Sequence, residues 1–148
     1  MKKLFISALL MLTAISFTFA STNDKSLAFK GAENFKKTFA NASDVEVKPV
    51  GEFTAVKFNW NNEKFQAFYD AEGNLTVTSR NIEMNRLPLP ALTTISEKYA
   101  GYTNTETIEL DHAEEGLSYY VALENTERKI ILKVDTFGSV STFKNVKK

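Results

Sequence analysis

The sequence predicts an α+β fold in which helices pack on one face of an antiparallel sheet. Three observations support this prediction: two segments with apolar residues at helical spacing, eight strand-like runs joined by short turns, and a match between the two halves of the chain. The 148 residues include twelve phenylalanines and five tyrosines but no cysteine. The core is therefore expected to be apolar and aromatic, with no disulfide.

The N-terminus has the layout of a secretory signal peptide. Lys2 and Lys3 precede an apolar run, Leu4–Phe17, and small residues follow as far as Ala20. The rival interpretation is a membrane anchor, but the run is shorter than the ~20 residues that a span needs, and hydroxyl side chains dilute it. We predict that residues 1–20 are removed and that residues 21–148 are periplasmic or secreted, with no stable membrane insertion.

The charge balance excludes some classes of partner. Lys2 and Lys3 are the only charges in residues 1–20, so the remainder carries 16 basic and 18 acidic side chains. A net charge of −2 gives no reason to expect binding to nucleic acid or to an anionic membrane surface.

The first half reads as a helix followed by four strands. Ala28, Ala32, Phe35 and Phe39 recur at helical spacing, and Asn23 or Asp24 could cap the start. The predicted strands are separated by turns of two to four residues, which requires antiparallel pairing. They cover residues 45–48, 53–60, 63–70 and 74–79.

The second half repeats this order. Pro90 suits the first helical position, the helical face carries Leu89, Leu92, Ile95 (or Ser96) and Tyr99, and Gly101 is expected just after the helix end. The predicted strands cover residues 105–110, 117–124, 128–135 and 139–144.

A displacement of 65 residues superimposes the two halves in sequence. Five identities then coincide with the same turns and strand faces: Gly51/Gly116, Val56/Val121, Lys64/Lys129, Asp70/Asp135 and Gly73/Gly138. We therefore predict a single duplicated domain over residues 21–148, with repeats at about 24–80 and 88–144. The five extra residues of the second half are expected around Asp111–Glu115. One continuous sheet is favoured over two, since the linker 81–90 is short and apolar.

Several motifs resemble a known family. The segment 39–45 (FANASDV), the segments 87–91 (LPLPA) and 98–102 (KYAGY), and the hairpin 69–74 (YDAEGN) together resemble the PepSY-like, beta-lactamase-inhibitor-like family of exported Bacteroidetes-type proteins. The chain departs from the family pattern at Ala40 and Ala100, where proline is common, and at Phe137, where an acidic residue is usual. The resemblance implies helices on one face of the sheet, a tandem duplication and a role in binding or inhibiting proteins. It implies no catalytic residues.

The groups needed for catalysis or metal binding are sparse. His112 is the only histidine, and its setting in residues 111–115 predicts a solvated hairpin tip rather than a zinc ligand or a triad base. Residues 70–74 hint at a calcium loop but lack the full ligand series, so a hairpin turn is favoured. We predict no enzyme activity, no cofactor and no metal site.

Strand alternation assigns the strand side chains to two faces. The more apolar face is expected beneath the helices and carries Val56, Phe58, Phe65, Ala67, Tyr69, Val121, Leu123, Ile130, Leu132 and Val134. The opposite face combines large apolar side chains with lysines, as protein-binding surfaces do. The residues predicted to contact a partner there are Phe53, Lys57, Gln66, Phe68, Tyr120, Ile131 and Lys133. The competing interpretation is ordinary cross-strand pairing on a solvated sheet face.

Together these features favour a non-enzymatic exported binding module. Its partner is expected to be a protein or peptide, and a protein or peptidase inhibitor is one form that such a module could take. The alternative is a carrier for a small apolar or peptide ligand held between the helices and the sheet, although the aromatic content argues against an empty cavity there.

Overall fold

The computed structural model describes residues 28–148. Within this range a short helix α1 (Ala32–Thr38) is followed by four strands, then by a 3-10 turn (Met84–Arg86), a helix α2 (Leu89–Lys98) and four further strands. The strands are β1 (Ser43–Val50), β2 (Phe53–Trp60), β3 (Glu63–Tyr69), β4 (Leu75–Asn81), β5 (Thr103–His112), β6 (Gly116–Glu124), β7 (Arg128–Val134) and β8 (Val140–Lys147).

All eight strands form one antiparallel sheet in sequence order, so each strand pairs with its neighbours along the chain. The halves meet where β4 pairs with β5, from Val77 opposite His112 to Asn81 opposite Ile108. The prediction of one continuous antiparallel sheet is thus confirmed. The five extra residues lie in the β5–β6 hairpin, because thirteen residues run from the start of β5 to Glu115, just before Gly116, and eight run from the start of β1 to Val50, just before Gly51.

The helices differ from their predicted bounds. Ala28 precedes α1, which begins at Ala32 after Gly31. A Cβ on Gly31 would lie 2.5 Å from the Tyr69 ring, so the chain passes too close to the sheet there for a helical side chain. Asn23 and Asp24 lie outside the described residues. Helix α2 ends at Lys98 with Tyr99 as its C-cap, two residues before Gly101.

Two apolar clusters fill the space between helices and sheet. Phe35 of α1 and Phe39, the C-cap of this helix, contact Phe58 of β2, with ring centroids 4.9 and 4.6 Å from the Phe58 centroid. Ala91 and Ile95 of α2 pack on the corresponding face of β6 and β7. Nine of the ten residues predicted for this face are buried and Phe65 is half-buried, as the alternation predicted. The helix-covered face is therefore the main core of the fold.

Candidate binding surface

The face opposite the helices carries a third apolar cluster, to which neither helix contributes. The cluster contains one residue from each strand, in strand order, and we call it the apolar row. It consists of Val50, Ala55, Phe68, Val77, Leu110, Tyr120, Ile131 and Phe143. The row crosses the whole sheet and is the continuous apolar feature of the face that the helices leave uncovered.

The strand register places all seven predicted contact residues on this open face. Ala55 lies opposite Phe68, Lys57 opposite Gln66, and Tyr120 opposite Lys133. The five other than Phe68 and Tyr120 are half-buried, which leaves part of each side chain accessible. They are Phe53, Lys57, Gln66, Ile131 and Lys133.

Phe68 and Tyr120 differ from expectation in one respect. The sequence predicted them on an exposed surface, but they are 2% and 1% exposed. Both belong to the apolar row, where side chains on the two neighbouring strands flank each of them, and the Phe143 ring meets the Tyr120 ring edge-on at 5.2 Å. Phe68 and Tyr120 therefore support any binding surface as buried members of the apolar row, with almost no exposed area of their own.

Two open-face positions, Val77 and Lys144, escape simple alternation because β-bulges shift the register. Leu75 and Val77 are two residues apart, yet Leu75 packs beneath α1 and Val77 joins the open face. The irregularity between the Phe68 and Tyr69 pairs explains this switch. A second bulge brings Lys144 opposite Ile131. Sequence reasoning missed Val77 and Lys144 for this reason, since no turn residue marks either bulge.

A polar cavity of about 510 Å³ lies beside the row at the first half of the open face. Its wall residues come from β1 to β5, with carboxylates on the two outer strands and amide, hydroxyl and ammonium groups between them. We call it the polar cup. Its polar lining comprises Asp44, Glu46, Lys57, Asn59, Lys64, Gln66, Ser79, Asn81 and Glu106, together with Arg80. Asn59 already donates to Asp44 over 2.6 Å, so part of this lining is internally satisfied.

The Tyr120 hydroxyl is buried, and within residues 28–148 no group completes a hydrogen bond to it. Burial raises the pKa of Tyr120 to about 12, an effect that the nearby Ser118 hydroxyl opposes. Tyr120 therefore stays protonated at neutral pH. A buried donor without an acceptor is uncommon and costs stability, so this phenol is a candidate for an interaction with something outside the described chain.

The only histidine, a candidate catalytic or metal-binding residue, has a structural role. The Nδ1 atom of His112 accepts hydrogen bonds from the backbone N–H groups of Glu114 and Glu115, over 3.1 and 3.2 Å, and so caps the β5–β6 turn. Across residues 28–148, no three His, Asp or Glu side chains cluster as metal ligands would.

The Asp70 loop is a hairpin turn. One carboxylate oxygen of Asp70 accepts from the backbone of Glu72 and Asn74, and Gly73 adopts a positive φ of 89°. Asp135 makes the equivalent bonds to Phe137 and Ser139. Backbone donors thus occupy one carboxylate oxygen of each aspartate, and the Asn74 side-chain amide donates to the other oxygen of Asp70, so these groups close the turns. These bonds, chiefly those from Asn74 and Ser139, lower the pKa of the two carboxyl groups.

Comparisons with solved structures show the fold. A BLIP-like protein from Bacteroides fragilis matches with a TM-score of 0.72, 20% identity, and coverage of 80% of this chain and 86% of that one. A DUF2874 family protein from Bacteroides ovatus matches with a TM-score of 0.72 and 14% identity, over 84% and 89% of the two chains. A Bacteroides eggerthii protein described as a candidate periplasmic protein matches with a TM-score of 0.71 and 8% identity, over 80% and 86%.

These similarities show that the chain has a BLIP-like fold. The sequence identities are too low to transfer a function from these proteins. No protein-family profile and no curated protein sequence matches this chain. The PepSY-like part of the sequence resemblance remains a prediction. None of the helices in the described range has the length and apolarity required to cross a bilayer.

Proposed function

We propose that this protein is an exported, non-enzymatic binding module that holds another protein against its open sheet face. The observation that carries the proposal is the apolar row, which extends over all eight strands on the face that neither helix covers. Half-buried Phe53 and Ile131 and the neighbouring polar cup give this face both apolar anchors and polar groups for orientation.

The two halves of the sheet differ more in side-chain character on the open face than on the helix-covered face, and this difference supports the proposal. At the 65-residue displacement, helix-side positions stay apolar, as in Val56/Val121. On the open face, polar and apolar residues exchange instead: Lys57 matches Ala122, Gln66 matches Ile131, and Phe68 matches Lys133. A duplicated scaffold needs its core preserved, whereas a binding surface is free to diverge. Export to the periplasm, a tandem duplication and an inhibitory role belong to this proposal.

The test compares the loss of half-buried apolar side chains from the open face with the loss of a half-buried phenylalanine from the helix-covered face. The double variant Phe53→Ala/Ile131→Ala truncates the open face, and Phe65→Ala truncates the helix-covered face as a matched control. Tyr120→Ala is unsuitable, because emptying a fully buried site costs about 3–5 kcal/mol in stability and would confuse folding with binding.

Each tagged variant is produced in the native host, and captured proteins are identified from the cell envelope alongside each variant's melting temperature. We expect the open-face double variant to lose the partners that the unaltered chain retains, and Phe65→Ala to keep them. Capture that falls in both variants in proportion to lost stability would contradict the proposal.

A further inference from the structure

The open face is asymmetric in charge. The polar cup mixes acids and bases, because Asp44 and Glu46 of β1 and Glu106 of β5 line it together with Lys57 and Lys64. The part of the open face that β6, β7 and β8 form is predominantly basic. There Lys129 and Lys148 share Glu124, with N–O distances of 3.0 and 2.9 Å. Lys133 lies opposite Tyr120 and Lys144 lies opposite Ile131, near the β8 end of the apolar row.

Lys133 and Lys144 form no ion pair with any residue in the range 28–148. Lys133 places its ammonium 5.9 Å from the centroid of the Tyr120 ring, the residue whose buried hydroxyl lacks a partner. Glu115 on the exposed β5–β6 turn is the carboxylate whose charge reaches the phenol. Two uncompensated cations and an unsatisfied donor thus converge on one end of an apolar row.

These groups are not requirements of the scaffold. In the first half, the positions matching Lys133, Tyr120 and Lys144 are Phe68, Ala55 and Ser79. That half builds the same four strands without a cation or a phenol at these three positions. The second half therefore carries three groups that its fold does not need and that share an affinity for a negatively charged acceptor.

We infer that the second half of the open face binds a carboxylate on a protein partner, presented beside apolar side chains. Lys133 receives the carboxylate as a charge partner, the Tyr120 hydroxyl donates to it when Phe143 moves aside, and Lys144 attracts acidic residues around it. Ile131 and Phe143 contact the apolar neighbours of the acidic residue. This inference rests on the proposed function and names the chemistry of the partner's contact segment.

The experiment uses a carbodiimide, which joins a carboxylate to an amine only where the two are in contact. Cells producing the full-length chain are treated, and the linked residues are mapped by mass spectrometry. The internal Lys129–Glu124 pair serves as a positive control for the reagent. We expect Lys133 or Lys144 to be joined to an Asp or Glu that lies beside apolar residues in another protein.

Three variants separate the inference from general loss of binding. Lys133→Met and Tyr120→Phe should each reduce the intermolecular link at Lys144 by roughly tenfold or more, the loss expected when one member of a close interfacial charge contact is removed. Lys37→Met, on exposed α1, should leave it unchanged. Tyr120→Phe removes only the unsatisfied hydroxyl, so its melting temperature should not fall.

Each other outcome overturns the inference. One is the internal control link without any intermolecular link at Lys133 or Lys144. Others are a link from these lysines to a second copy of this chain, or binding to phosphatidylglycerol vesicles that depends on Lys133. If Phe53→Ala/Ile131→Ala abolishes capture while Lys133→Met and Tyr120→Phe do not, the open-face function stands and the carboxylate contact is wrong. If the double variant has no effect, the proposed function itself fails.

Discussion

Individual side chains in this protein act mainly through burial and through backbone capping. Tyr69 and Tyr120 illustrate the first effect, because burial raises the pKa of each to about 12 and leaves each hydroxyl without a partner in the described range. Asp70 and Asp135 illustrate the second, since each carboxylate closes a hairpin turn through backbone N–H groups. The single histidine also serves as a turn cap.

Tyr69→Phe should stabilise the fold. The hydroxyl beneath α1 is desolvated without a compensating hydrogen bond, and removing it preserves the ring contact with Phe29 at 5.2 Å. We expect the free energy of unfolding to rise by about 1 kcal/mol, measured by urea denaturation. A loss of similar size would show that the hydroxyl has a partner after all.

The two turn aspartates should make stability depend on pH at the acidic end. Their pKa values are lowered from 3.8 in the folded chain, so their contribution is fully present above about pH 4 and is lost as the pH falls through the lowered values. Denaturation measured between pH 6 and pH 2 should show stability decreasing below about pH 4. The double variant Asp70→Asn/Asp135→Asn should flatten this decrease, and an unchanged slope would contradict the assignment.

At the scale of elements, the turns that join β3 to β4 and β7 to β8 hold the helices in place. Gly73 lies against the backbone of Lys30 just before α1, and Gly138 lies against Pro90 in the first turn of α2. Each half therefore uses a left-handed glycine at the same turn to bring a helix start onto the end of the sheet. Close approach of these turns to the chain therefore helps to determine where each helix begins.

Substituting three glycines should separate backbone strain from crowding. Gly51, Gly73 and Gly138 all have positive φ, but an added Cβ meets nothing at Gly51, a Pro90 side-chain atom at 3.0 Å at Gly138, and Lys30 backbone atoms at 2.7 Å at Gly73. Gly51→Ala should cost about 1 kcal/mol of unfolding free energy, and Gly73→Ala more than about 3 kcal/mol. Gly138→Ala should fall between them. Equal losses in chemical denaturation would contradict the role of close approach.

The sequence identifies the elements well where strand alternation is unbroken. Val56, Phe58 and Val121 were predicted beneath the helices from period-two patterning alone, and they are buried there. The open-face positions of Val77 and Lys144 do not follow from alternation, because β-bulges shift the register without a sequence marker. Prediction fails at Leu89, expected on the packed face of α2 but 75% exposed, whereas Ala91 in the same turn is fully buried. The buried state of Phe68 and Tyr120 depends on side chains of the adjacent strands, which the alternation within a single strand does not encode.

At the scale of the whole molecule, one junction joins the two four-strand halves. Beside the β4–β5 ladder, the Arg80 guanidinium forms ion pairs with Glu63 of β3 and Glu109 of β5, the latter at 2.7 Å. It also lies 5.5 Å from the centroid of the Phe65 ring, and its side chain is only 20% exposed. The sheet is therefore continuous in its side-chain contacts as well as in its backbone pairing.

The continuous sheet should unfold as a single unit. We expect coincident transitions when unfolding is followed by tryptophan fluorescence, which reports on Trp60 in the first half, and by far-ultraviolet circular dichroism, which reports on both halves. Arg80→Met should lower the free energy of unfolding by about 1–2 kcal/mol after allowance for solvent screening. Two separate transitions in the unaltered protein would show that the halves fold independently.

The account as a whole divides the sheet into a helix-covered face that maintains the fold and an open face that contacts a partner. Placing the photo-crosslinking residue p-benzoylphenylalanine at Phe53 on the open face, and separately at exposed Leu89 at the start of α2, tests this division in the native envelope. The account predicts a defined crosslinked protein from position 53 and none above background from position 89. The same protein captured from position 89 but not from position 53 would contradict it.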